Sequence, residues 1–108
     1  MTRIPLPAAL AALALPIACG TASAADTDAS ALRARNHAAA CTSCHGPQGR
    51  PPAGSPIPAL AGRAQSELVS QMQAFKAGKR PATVMHQIAK GYSDDQITAI
   101  AGWFAAVR

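Results

Sequence analysis

No part of this chain alternates apolar and polar residues as a half-buried strand would, which speaks against a sheet and against the βαβ setting of thiol redox proteins. There is no glycine-rich dinucleotide fingerprint, so this polypeptide is not expected to hold a nicotinamide or flavin. Nothing repeats internally, and no nucleic-acid motif accompanies the excess of positive charge. The longest apolar run, Leu6 to Ala18, is broken by Pro7 and Pro16 and is too short for a spanning helix. Acidic residues are few, 5 against 10 basic ones, for a net charge of +5. Cysteine is scarcer still, with 3 in 108 residues, and its placement carries most of the information.

The N-terminal stretch reads as an export signal. Arg3 gives a thin positive start, Leu6 to Ala18 an apolar centre, and Ala22-Ser23-Ala24 a small-residue cleavage site. Residues 1–24 are therefore expected to be a signal peptide that sends the protein to a bacterial periplasm, and residues 25–108 one small domain. Leu15-Pro16-Ile17-Ala18-Cys19 offers a lipoprotein processing site as the alternative, which would tether the protein to a membrane. Cleavage after Ala24 removes Arg3 as the only charge and leaves a net of +4, one less than the +5 of the whole chain. It also removes Cys19 and leaves two cysteines. A domain of this size has a marginal core and is usually stapled or built around a cofactor.

Those cysteines lie in Cys41-Thr42-Ser43-Cys44-His45. C-x-x-C-H is the attachment signature of c-type haem: each thiol adds across a vinyl group, and the adjacent imidazole reaches the iron. Two other readings compete. A bare C-x-x-C suits a redox dithiol, which wants strands that this sequence lacks. Zinc would take Cys41, Cys44 and His45 and need a fourth ligand, for which His37 and His86 are available but unpaired. The expected cofactor is one covalently bound haem c with its iron.

The rest of the chain reads as helices. Asp26, Asp28 and Ser30 are candidate caps for an alanine-rich helix from about Ala29 to Ala40. Gly46, Pro47 and Gly49 stop the segment that carries the cysteines, and residues 50–58 are a loop over one edge of the haem. Ser66 is the expected cap of a second long helix with an apolar stripe of Leu68, Val69, Met72 and Phe75, stopped by Gly78 and Pro81. Thr83 is the expected cap of a short helix ending at Lys90 and Gly91. Ser93 and Gln96 form a capping box for the last helix, with Asp94 and Asp95 at the positive end of its dipole. Its core stripe is Ile97, Ile100, Ala101 and Phe104; Trp103 lies off centre, over haem or against a neighbour. The fold class is all-α.

A second axial ligand decides whether the iron is closed for electron transfer or open to small molecules. Candidates are Met72, Met85, His86 and His37. Met72 reads as packing on its stripe. His37 shares a helix with His45 and should stay on its side of the ring. Met85 stands in a segment set off by Pro81 and Gly91, far enough along the chain to reach round the haem. It is the favoured ligand, with His86 as the alternative; a thioether raises the potential relative to a second imidazole.

A helix leading into C-x-x-C-H, then Pro58-Ala59-Leu60-Ala61-Gly62, a late methionine and a C-terminal amphipathic helix resemble the class I cytochromes c. The resemblance implies that a Pro58 carbonyl accepts the Nδ1 proton of His45, that Leu60 packs on the ring, and that the first and last helices cross at Ala34 and the Ile97, Ile100, Ala101 face. His37 departs from the apolar residue usual there. Residues 73–85 and Ile88-Ala89-Lys90-Gly91-Tyr92-Ser93-Asp94 are most similar to the one-haem cytochrome subunits of flavocytochrome c sulfide dehydrogenases. That implies a non-catalytic electron-transfer protein partnered by a flavoprotein subunit and a downstream acceptor. Alternatives are a free carrier between respiratory complexes and, less favoured, a peroxidase or sensor with open iron. The basic residues Lys76, Lys79, Arg80 and Lys90 suit steering toward an acidic partner or simply a solvated face.

Overall fold

The computed structural model describes residues 22–108; the expected signal, apart from its last three residues, lies outside the described residues. Among the described residues there are helices and no strand, as the all-α expectation requires. They are α1 (Ala22–Ala39), α2 (Thr42–His45), α3 (Gln65–Lys76), α4 (Met85–Lys90) and α5 (Asp94–Ala106), with a 3-10 turn over Pro47–Gly49.

The first helix starts earlier than the expected Ala29. With no proline or glycine from 22 to 39, nothing stops alanine-rich sequence from extending upstream, and Asp26, Asp28 and Ser30 lie within the helix instead of capping it. The break before α2 is slight: Cys41 N donates to Ala38 O at 3.0 Å, and His45 N to Cys41 O at 2.9 Å. Gly46 ends α2 with φ 81°, and a Cβ there would lie 2.2 Å from Arg50 O, so only glycine fits.

Two expected caps are displaced. The cap of α3 is Ala64, not Ser66, and it makes no side-chain bond. The first turn is secured otherwise: Arg63 pairs with Glu67, and Gln65 Nε2 donates to Thr98 O on α5 at 3.0 Å. The cap of α4 is Val84, not Thr83, and it makes no side-chain bond; Thr83, one residue upstream, is exposed at the cavity border. The stop of α3 is as read. Gly78 turns left-handed at φ 68°, and Lys79 N and Arg80 N both donate to Ala74 O, at 2.9 and 3.2 Å. In α5 both halves of the capping box form, Gln96 N to Ser93 Oγ at 3.2 Å and Ser93 N to Gln96 Oε1 at 2.9 Å.

Helix α5 is the centre of the packing. Its stripe of Ile97, Ile100, Ala101 and Phe104 is buried, and both α1 and α3 lie against it. Ala38 and Leu68 meet Ile100, Ala101 and Phe104 in one cluster. The expected contact at Ala34 is therefore shifted. Ala38, one turn on, is the fully buried α1 residue, while Ala34 borders a groove with Ala99, Gly102 and Trp103. The loop between the 3-10 turn and α3 is strapped to this core: Leu60 N donates to Gly49 O at 2.9 Å and Gly62 N to Phe104 O at 2.9 Å.

Candidate haem site

A cavity of about 460 Å³ opens among these elements. Such a volume falls in the range of about 300–1,000 Å³ typical of small-molecule and cofactor sites. The α1–α2 junction contributes Cys41, Cys44 and His45, and the strapped loop contributes Pro58 and Leu60. From α3 come Leu68, Met72 and Phe75, from α4 Met85 and Ile88, and from α5 the buried stripe. All six site residues expected from sequence thus border one space.

His45 is the buried polar side chain of the described residues, 8% exposed. Its Nδ1 lies 2.8 Å from Pro58 O. A carbonyl only accepts, so Nδ1 carries the proton and donates. That tautomer leaves Nε2 with a free lone pair, the form a metal ligand needs. Cys41 and Cys44 are free thiols. Burial, and then the neighbouring Cys44, push the Cys41 thiol above its usual range and keep it protonated.

Of the four candidates for a further ligand, only the methionines line the cavity. Met85 begins α4. Met72 was expected to be core packing, yet it borders the same space. The clue was in the sequence: Leu68, Met72 and Phe75 share a helical face, and that face turns toward the cavity. His86 is half-buried outside the lining, with Nδ1 buried and without a hydrogen-bond partner. His37 is half-buried on α1, also outside it. Trp103 packs beside α1 and does not reach the cavity, whereas Tyr92 and Arg80 do.

The basic cluster is less uniform than its sequence suggests. Lys76 Nζ donates to Tyr92 O and to Asp94 Oδ1, both at 2.8 Å, which ties α3 to the start of α5. Lys79, Arg80 and Lys90 remain exposed. Ile57, Val84 and Ile88, apolar and 38–52% exposed, stand at the cavity edge.

The donor set fits haem c: paired thiols, an imidazole in the ligating tautomer, thioether sulfur and otherwise apolar walls. It does not fit the competitors. Among the described residues no three His, Cys, Asp or Glu gather as a metal cluster, and no sheet supports a redox dithiol. Fold and site together define a protein built around a covalently held haem. The comparisons agree: the cytochrome c profile matches residues 31–107, and the chain belongs to that family of haem-bearing electron carriers.

Three curated relatives are similar to it. It is 40% identical over 70 residues to the thiosulfate dehydrogenase electron acceptor of Stutzerimonas stutzeri, covering 62% of this chain and 32% of that one. It is 38% identical over 81 residues to cytochrome c4 of Pseudomonas aeruginosa, covering 75% and 39%. It is 38% identical over 64 residues to the cytochrome subunit of sulfide dehydrogenase of Chlorobaculum tepidum, covering 59% and 56%. The alignments thus span about a third of the first two relatives and just over half of the third. Among the described residues no helix is long and apolar enough to cross a membrane.

Proposed function

We propose that this cytochrome works in a bacterial periplasm, delivered there by residues 1–24 as a cleaved signal, and takes single electrons from a sulfur-oxidising dehydrogenase through a His45/Met85-ligated haem. Bound haem supplies a one-electron ferric–ferrous couple. The chain supplies everything else. Cys41 and Cys44 anchor it by thioether bonds. Pro58 O fixes the tautomer and direction of the His45 ring, so Nε2 is the ligating atom. Met85 offers a neutral, polarizable sulfur that favours the ferrous state and raises the potential. Leu60, Leu68 and the α5 stripe exclude water, which keeps rearrangement on electron transfer small. The convergence of Cys41, Cys44, His45 and Met85 on one apolar cavity carries this reading.

Two of the relatives support the choice of donor. The sulfide dehydrogenase cytochrome subunit is the one of the three whose length this chain covers most fully, which favours a partner flavoprotein subunit that oxidises sulfide. A thiosulfate dehydrogenase is the second reading, on the strength of the higher identity to its electron acceptor. Copurification from periplasm separates a bound flavoprotein from a freely diffusing carrier. For the ligands, Met85→Ala is expected to lower the potential, abolish the methionine–iron charge-transfer band and let ferrous iron bind carbon monoxide. Met72→Ala is expected to keep the band and lose stability. The reverse pattern would move the ligand to Met72.

A further inference from the structure

Arg80 is the one permanently charged side chain among the described residues that line the cavity. Its position is built. The left-handed Gly78 and the two bonds to Ala74 O fold the chain back at the end of α3. The guanidinium then lies over the Phe75 ring, 4.7 Å from its centroid, and Nη1 donates to Gln71 Oε1 at 2.6 Å. Gln71 and Phe75 line the cavity too. The ion pairs of the described residues are Arg63–Glu67 and Lys76–Asp94, so no carboxylate among the described residues answers Arg80. A guanidinium has five donors in a rigid fork shaped for a carboxylate. One of them is used here.

We propose that Arg80, held in place by Gln71 and Phe75, pairs with a propionate carboxylate of the haem and so raises its reduction potential. The inference rests on the haem placement proposed above. The carboxylate it requires is the anionic edge of the cofactor, which must lie near water, and Arg80 is exposed at the cavity wall. A positive charge beside that edge favours the reduced haem, which carries one positive charge fewer. Stacking on Phe75 and the bond to Gln71 fix the fork before the haem arrives, so little side-chain freedom is lost on pairing.

The test uses haem-loaded full-length protein made with a cytochrome maturation system. Arg80→Gln is expected to shift the reduction equilibrium threefold to tenfold toward the ferric form; a tenfold shift is about 59 mV for one electron. Solvent screening sets the lower figure. Lys79→Gln removes an equal charge one residue away, outside the lining, and is expected to shift it much less. Arg80→Lys should fall between wild type and Arg80→Gln. In the wild-type ferrous protein, a nuclear Overhauser contact is expected between the Arg80 side-chain NH and a propionate methylene, and this holds the test open if a variant fails to fold. Equal shifts for Arg80→Gln and Lys79→Gln, or no such contact once the Arg80 resonance is assigned, would overturn the pairing and leave the haem placement intact. A wild-type product without covalent haem would instead overturn the placement beneath it.

Discussion

Replacing Phe104 by alanine should destabilise this protein more than any change on its surface. Phe104 and Ile97 are its largest fully buried side chains. The ring shares one buried cluster with Ala38 of α1 and Leu68 of α3, and it lies against Gly49 of the 3-10 turn. That last contact is close: a Cβ at Gly49 would lie 2.7 Å from Phe104 Cδ1, so the two residues fit only as a glycine against a ring. Losing the burial of such a side chain costs about 1.5–3 kcal/mol. Space that does not collapse adds about 24 cal/mol per Å³. Collapse is hindered here, because the ring is braced by three elements and borders the haem cavity. The expected loss is therefore about 3–5 kcal/mol. For a domain of this size that lowers Tm by about 4–8 °C per kcal/mol. Guanidinium denaturation of the haem-loaded protein, followed by helix circular dichroism and by haem absorbance, measures it. Phe104→Leu should cost less than about 1.5 kcal/mol, since it mostly conserves volume. A loss below about 1 kcal/mol for Phe104→Ala would refute the claim that this ring joins the three elements.

Other outcomes follow from single contacts. Ser93→Ala removes one half of the α5 capping box and should cost about 1 kcal/mol in the same denaturation assay. Gly78→Ala puts a Cβ on a residue with φ 68° and should destabilise the protein by about 1 kcal/mol while loosening the Arg80 turn, read as a change in potential. The Lys76 bond, and then that of Gln73, hold the Asp94 carboxyl below its ordinary value of 3.8. A depressed folded-state pKa gives stability that is present above the unfolded value and is lost as pH falls through the folded one. Acid unfolding curves of wild type and Asp94→Asn should therefore converge at the lowest pH, with the wild type ahead above it. Parallel curves would remove Asp94 from the acid response.

How far the sequence reached depended on whether the deciding contact was local. The C-x-x-C-H motif, the Ser93–Gln96 box and the Gly78 stop each lie within a few residues, and each reads correctly. The α5 stripe was equally visible, because a helix must bury its apolar face. The errors came where tertiary contacts choose among local options. Ser66 is a good cap, but Arg63–Glu67 and Gln65–Thr98 accompany a helix whose cap lies two residues earlier, at Ala64. Thr83 is a good cap too, but the helix starts one residue later, with Val84 at the cap. Met72 reads as packing on an apolar stripe, and the fold adds that this stripe borders the cavity, which spacing alone does not reveal. Arg80 reads in sequence only as one of a basic cluster: the Gly78 turn beside it is local, but that the turn lays its guanidinium over Phe75 and onto Gln71 shows only in the folded chain.

Intact-mass spectrometry under denaturing conditions goes most directly to the central claim, that one haem is joined to this helical shell through Cys41 and Cys44. Protein exported from a host with working cytochrome maturation should show the chain plus one haem, with both thiols consumed and nothing released on unfolding. The bare chain mass with two alkylatable thiols, from a host that loads a control cytochrome in parallel, would contradict the account.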